Sequence, residues 1–288
     1  MKVIDQDLLE KVIIERSRTS HKGDYGRLLL LGGTYPYGGA IIMAALAAVK
    51  SGAGLVTVGT DRENIPALHS HLPEAMAFAL QDQQLLKEQL DKAEVVLLGP
   101  GLGDNAFGED LVKQVFAGLK QNQILIIDGG ALTILSRTRL SFPSSQLILT
   151  PHQKEWEKLS GITIEKQNED ATASALNSFP QGTILVEKGP ATRVWQAGQS
   201  HCYQLQIGGP YQATGGMGDT LAGMIAGFAG QFKQASLYER VTVATHLHSA
   251  IAQELSQEHY VVLPTEISNC LPKVMNKISQ KDWVKIQF

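Results

Sequence analysis

Cysteine is scarce in the 288-residue chain, which has only Cys202 and Cys270. They lie far apart with no partners at metal-ligand spacing. That excludes a disulfide framework and a zinc site, and predicts reduced thiols in a cytoplasmic protein. Positive charge is not in excess either: 25 Lys and Arg stand against 28 Asp and Glu, a net charge of −3 with a pI near 6.2. A nucleic-acid binder usually carries a basic stripe, so that class is disfavoured. Long apolar runs are missing. The greasiest stretch, Ala40 to Val49, falls well short of the roughly 20 residues that span a bilayer. Residues 1–16 carry charges throughout and lack the apolar block of a signal peptide. No nucleophile elbow or thiol–histidine pairing appears.

What the chain does have is apolar content and glycine. Hydrophobic residues make up 43% and charged residues 18%, enough for a sizeable core, and the length suits one large α/β domain over 1–288. The 28 glycines, about a tenth of the chain against a usual 7% or so, gather where apolar runs end. Leu28–Leu31 leads into Gly32-Gly33, Val95–Leu98 into Gly99 to Gly103, and Ile124–Ile127 into Asp128-Gly129-Gly130. Leu147–Leu149 leads into Thr150-Pro151-His152, and Ile184–Val186 into Glu187-Lys188-Gly189. Unbroken aliphatic runs read as strands buried on both faces. Between them, residues 40–51, 83–92, 108–120, 152–160 and 168–178 have helical spacing, as do 218–230, 237–256 and 264–278. The alternation predicts an α/β fold: a mostly parallel sheet with helices on both sides and ligands at the carboxyl ends of the strands. Thr192–Gln206, with Ala197-Gly198-Gln199 at its centre, reads as an edge hairpin. The tail Trp283–Phe288 reads as a late strand or a docking arm.

The strongest chemical motif is Ala213-Thr214-Gly215-Gly216-Met217-Gly218-Asp219 running into an apolar helix. Glycines free the backbone to turn N–H groups toward a ligand, and a helix start adds about half a positive charge, so this is an anion site. A carboxylate beside a bound phosphate is unfavourable unless it does something. Taking a proton from a hydroxyl as a phosphoryl group arrives is such a role. The competing reading has Asp219 only capping the helix, and the preceding glycines favour phosphate chemistry.

Several segments together resemble the ADP/ATP-dependent NAD(P)H-hydrate dehydratases of the ribokinase-like superfamily. They are His21-Lys22-Gly23-Asp24-Tyr25-Gly26, Gly38-Gly39-Ala40, Gly99-Pro100-Gly101-Leu102-Gly103, Thr150-Pro151-His152 with Glu155, Lys188-Gly189-Pro190-Ala191-Thr192, and Gly216–Asp219, in the expected order over roughly residues 5 to 280. The resemblance implies a ribokinase-like three-layer sandwich. It implies nucleotide-dependent dehydration of hydrated NADH or NADPH (the S epimer at ring C6) by phosphorylation of the ring hydroxyl and loss of phosphate. By the same resemblance Asp219 is the catalytic base, and the amides of Gly216, Met217 and Gly218 form the anion hole. Lys188, Gly189, Pro190, Ala191, Thr192 and Gly218 bind the nucleotide, with Lys188 meeting a phosphate and Thr192 offering a hydroxyl. Ala40, Gly103, His152 and Asp219 contact the hydrated dinucleotide, and Glu155 organises Mg²⁺ through water. ADP or ATP is the co-substrate, with ADP favoured in bacterial relatives. A homotetramer and a separate epimerase partner are also implied.

Three departures from the family pattern stand out. Met217 replaces a threonine, Gly209-Pro210-Tyr211-Gln212 replaces Asn-Pro-Gly-Met, and Gly130 stands where the family's Asp-x-Asp has its second acid. Two alternatives remain at this level: a ribokinase-like kinase of a small alcohol such as a vitamin precursor, and a non-catalytic nucleotide-binding module. His246 and His248, two apart on a helix, point to different faces and read as satisfied core or interface residues. His69 and His71 read as structural or exposed.

Overall fold

The uninterrupted aliphatic runs become the centre of a single sheet. A computed structural model describes residues 2–138 and 140–282, so the reading of Trp283–Phe288 lies outside the described residues. The strands are β1 (Arg27–Leu31), β2 (Leu55–Thr60), β3 (Met76–Ala79), β4 (Val95–Leu98), β5 (Ile124–Ile127), β6 (Gln146–Leu149), β7 (Ile184–Glu187), β8 (Arg193–Gln196) and β9 (Tyr203–Gln204). Their order is β3-β2-β1-β4-β5-β6-β7-β8-β9. Neighbours from β3 through β7 run parallel, and β8 and β9 close the far edge antiparallel. The edge hairpin read from 192–206 is therefore present, with Arg193 opposite Gln204. β2 and β3 were not among the expected strands.

The helices are α1 (Gln6–Val12), α2 (Gly38–Lys50), α3 (Ile65–His71), α4 (Gln83–Lys92), α5 (Ala106–Gly118), α6 (Gly129–Arg137), α7 (Gln153–Ser160), α8 (Glu169–Leu176), α9 (Met217–Gly230), α10 (Leu237–Leu255) and α11 (Pro264–Ser279). They form the outer layers. Side chains alternate along a strand, so each central strand feeds two cores. Leu28, Leu30, Ile124 and Ile126 pack under α1, α2, α3, α9, α10 and α11. Leu29, Leu31, Leu125 and Ile127 pack under α4 to α8. This is the expected three-layer arrangement. Among the described residues no helix is long and apolar enough to cross a membrane.

β1 is the first strand, yet it lies inside the sheet with β2 on one side and β4 on the other. The chain thus reverses its direction of travel across the sheet there, and such a switch point opens a crevice beyond the strand ends. The loops after β1 and β4 meet across it: Gly33 N–H donates to the Pro100 carbonyl at 2.8 Å and Thr34 N–H to the Gly101 carbonyl at 2.9 Å.

One helix pair positions the site. The Ala-rich face of α2 lies directly against α9. A Cβ at Gly223 would come within 2.1 Å of the Ala44 carbonyl oxygen, so the backbones touch where a side chain would stand. Gly223→Ala is expected to destabilise the protein by about 1–3 kcal/mol through overpacking. Gly39→Ala, with nothing near its Cβ, is expected to be neutral or stabilising by up to about 1 kcal/mol. Urea denaturation of the two variants checks both signs.

Candidate active site

The fourteen-residue helix α9 starts without a side-chain cap. Its N-cap, Gly216, has φ 96°, a left-handed conformation that glycine adopts without the penalty a Cβ brings. That turn aims the first backbone N–H groups outward, where they have no partner within the helix. The turn is backed by Met43, whose thioether sulfur would lie 2.4 Å from a Cβ at position 216. Met217, at the threonine position of the family, is buried in the α9 core. Its amide remains in the first turn, while the hydroxyl contact of a threonine is lost.

Lys188, just past β7, is the hub of this end of the sheet. Its Nζ donates to Asp128 Oδ1 at 3.0 Å. The Thr150 hydroxyl donates to the same oxygen at 2.7 Å, and Asp128 is almost fully buried. The ammonium also approaches the α9 turn, since a Cβ at Gly218 would lie 3.1 Å from it. Burial pulls the Lys188 pKa down, but Asp128, Glu155 and Asp219 together outweigh this and hold it above the ordinary lysine value.

Asp219 is partly buried in the first turn of α9. Burial, then the Asp128 carboxylate, push its pKa up to about 6, while Lys188 and its own backbone amide pull the other way. The carboxylate is therefore half-buried near Lys188 and Asp128, and it also takes the amide of its own first-turn residue. A carboxylate titrating near 6 can be ionised at neutral pH and still accept a proton with useful driving force.

His152 and Glu155 form the N-terminus of α7. The imidazole Nδ1 accepts from Lys154 N–H at 3.1 Å and Glu155 N–H at 3.3 Å, and Glu155 Oε2 accepts from His152 N–H at 2.8 Å. This reciprocal cap fixes His152 beside Lys188, with which it forms a parallel bridge. Burial and then Lys188 lower the His152 pKa, and burial raises that of Glu155. The loop-projecting histidine of the sequence reading is thus also a helix cap.

The remaining residues fall into place less evenly. Gly189, Pro190 and Ala191 are exposed on the loop after Lys188. The Thr192 hydroxyl closes that loop by donating to the Gly189 carbonyl at 3.1 Å, so it is not the free donor that was expected. Ala40 opens α2 across from the loop after β4, where a Cβ at Gly101 would stand 2.9 Å from its own Cβ. The Gly103 amide is taken by Thr34 Oγ1 at 2.7 Å. The missing second acid has a steric reason: a Cβ at Gly130 would lie 1.9 Å from the Leu102 carbonyl oxygen.

A cleft of about 540 Å³ opens between the 188–192 loop, the α9 start and α10. Lys188, Gly189, Pro190, Thr192, Met217 and Gly218 line it. Gln212, Thr245, His248 and Ser249 line it too, and none of these was singled out as a site residue. His248, read as a satisfied core histidine, is buried at 5% exposure, but its Nε2 has no hydrogen-bond partner. Ala40, Gly103, His152 and Asp219 are not among the residues lining this cleft.

Among the described residues no group of three His, Cys, Asp or Glu side chains could hold a metal ion. The buried Asp128 and Glu155 carboxylates flank Lys188. Two carboxylates suit Mg²⁺, which keeps several waters and completes its shell with substrate phosphates. The donor set thus fits an ion brought with a nucleotide, not one held by protein alone.

The profile described as NAD(P)H-hydrate dehydratase matches residues 28–273. The ADP-dependent (S)-NAD(P)H-hydrate dehydratase of Streptococcus pneumoniae is 90% identical over 99% of this chain and 98% of its own. The crystal structure of a ribokinase-like superfamily protein from Enterococcus faecalis superposes with a TM-score of 0.92 at 42% identity, covering 97% of this chain and 96% of the other. The ADP/ATP-dependent NAD(P)H-hydrate dehydratase of Bacillus subtilis, co-crystallised with ATP and Mg²⁺, gives a TM-score of 0.81 at 28% identity, covering 95% and 97%. The sheet, the uncapped glycine turn and these matches agree, and the chain belongs to the NAD(P)H-hydrate dehydratase family with a ribokinase-like fold.

Proposed function

We propose that this protein restores NADH and NADPH from their S hydrates, using ADP or ATP as phosphoryl donor. The observation that carries the reading is Asp219, a partly buried carboxylate with a pKa near 6 set between uncapped α9 amides and the Lys188 ammonium. The name of the 90% identical Streptococcus pneumoniae relative supports the same reaction and ADP as the donor.

In this reading the ring hydroxyl oxygen attacks the terminal phosphorus of the nucleotide as its proton passes to the Asp219 carboxylate. The new P–O bond forms as the donor's bridging P–O bond breaks. The amides of Gly216, Met217 and Gly218 hold the transferred phosphoryl oxygens, a kind of preorganised contact worth on the order of 3 kcal/mol each. The ring-nitrogen lone pair then expels phosphate from C6, and loss of a proton from the adjacent carbon restores the dihydropyridine. Lys188, held by Asp128, supplies fixed positive charge to the nucleotide, and Gly189, Pro190, Ala191, Thr192 and Gly218 surround it. Ala40, Gly103 and His152 bind the hydrate opposite. Glu155 and Asp128 would hold Mg²⁺ through water with the phosphates, where the ion would neutralise phosphate charge.

Asp219→Asn is expected to lower the nucleotide-dependent recovery of NADH absorbance by about 10²–10⁴-fold while nucleotide still binds. A variant that keeps most of its turnover would remove Asp219 as the base. The base must be ionised, so wild-type kcat/KM should fall on the acid side with an apparent pKa near 6, the value the buried carboxyl carries, and level off above it. A pH–rate profile measured at fixed ionic strength checks this, and an acid limb near pH 4 would contradict it.

A further inference from the structure

We propose that Tyr37 is a stacking platform for the distal base of the hydrated dinucleotide, so that it sets a preference for a dinucleotide hydrate over a hydrated nicotinamide mononucleotide. The inference rests on the reading that the hydrated ring reacts at Asp219.

Two helices place the tyrosine. α2 and α9 run side by side in the same direction, with Gly223 against the Ala44 backbone and Gly227 against the Ala48 carbonyl. Counting back about one turn on each brings Ala40 level with Asp219. About one further turn brings Tyr37, the N-cap of α2, level with Gly216, the N-cap of α9. Tyr37 and Ala40 also share a side. A Cβ at Gly101 would lie 3.2 Å from the Tyr37 Cβ and 2.9 Å from the Ala40 Cβ, so both side chains leave α2 toward the loop after β4. A hydrate whose ring hydroxyl reaches Asp219 therefore has Ala40 beside the reacting ring. Tyr37 stands about 4.5 Å further out along the helix, at the mouth of the crevice.

The backbone beneath the ring is fixed. Tyr37 N–H donates to the Thr34 carbonyl at 2.7 Å, and the Tyr37 carbonyl accepts from Ala40 N–H at 3.2 Å. Thr34 is tied in turn to Gly101 and Gly103 of the loop after β4. On the other side, Tyr35 N–H donates to Asp61 Oδ2 at 2.6 Å and Asn64 Nδ2 to the Gly38 carbonyl at 3.1 Å. On this bonded loop Tyr37 stays 60% exposed, and among the described residues its ring pairs with no other aromatic. Single surface aromatics are common. This one differs because its main chain is already ordered and a tyrosine has only two side-chain torsions left to freeze. Its flat face suits a flat base, and stacking of this kind is indifferent to the base's hydrogen-bonding edge. The hydrated nicotinamide ring has tetrahedral carbons at C4, C5 and C6 and is puckered, and its hydroxyl is held at Asp219. Of the two ring systems in the substrate, the distal purine is the one that fits the Tyr37 face.

The test compares two substrates at saturating ADP and Mg²⁺: hydrated NADH, and hydrated reduced nicotinamide mononucleotide, which lacks the adenosine half. Tyr37→Ala should lower kcat/KM for hydrated NADH by about 5–100-fold, the range that base–aromatic stacking supplies, with the loss mainly in KM. The same variant should leave kcat/KM for the mononucleotide within about twofold of the wild-type value. Tyr37→Trp, which keeps a flat ring, should retain the preference for the dinucleotide, and Tyr37→Leu should not. A Tyr37→Ala variant that loses equally on both substrates, or on neither, would overturn the inference and leave Asp219 as the base. Failure of the wild-type protein to act on hydrated NADH would overturn both.

Discussion

The site depends on one half-buried cation. Lys188 sits where β7 ends, and Asp128, Glu155 and Asp219 come from the ends of β5, the start of α7 and the start of α9. Only the folded sheet brings these four together. Three carboxylates around one ammonium leave a local excess of negative charge, and burial makes that excess costly. The system meets it unevenly. Asp128 takes the direct bond to Lys188 and a hydroxyl from Thr150, Glu155 takes a backbone amide of its own helix cap, and Asp219 takes its own backbone amide and the more distant Lys188 charge. It is the one whose pKa climbs to about 6. A carboxylate raised in this way suits acid–base work, and Asp219 lies in the first turn of α9.

Packing serves the same end. α9 must carry its first turn to the edge of the crevice, and it does so by lying backbone-to-backbone on α2 at Gly223. The small residues of α2 make this close approach possible. The opening of α2, at Ala40, borders the opposite side of the crevice. One helix pair thus sets the separation between the turn that would hold phosphate and the surface that would hold the dinucleotide. A mixed cleft wall on α10 extends the first of these sides, and its only buried side chain with an unpartnered ring nitrogen is His248.

Much of this was legible in the chain. β4 and β5 are uniformly aliphatic and buried, and β1 is so after Arg27, so their unbroken runs declare them. β2 hides because Thr57, Gly59 and Thr60 interrupt its apolar run, and β3 because it is a four-residue edge strand with an exposed Met76. α6 begins at Gly129-Gly130, which reads as loop until the close packing on Leu102 explains the glycines. Asp219 and its glycines were readable as a local motif. The Asp128–Lys188 bond was not, since it joins residues 60 apart, nor was the capping role of His152. His248 was set aside because a histidine on an apolar helix is usually satisfied, and only the folded structure shows that its Nε2 has no hydrogen-bond partner.

The central claim is that the ring oxygen leaves on phosphorus, not as water. Hydrated NADH prepared with ¹⁸O at its ring hydroxyl and incubated with the protein, nucleotide and Mg²⁺ tests it by mass spectrometry of the released phosphate. The account predicts one labelled oxygen in inorganic phosphate for each NADH regained. Label appearing in bulk water, with unlabelled phosphate, would contradict it.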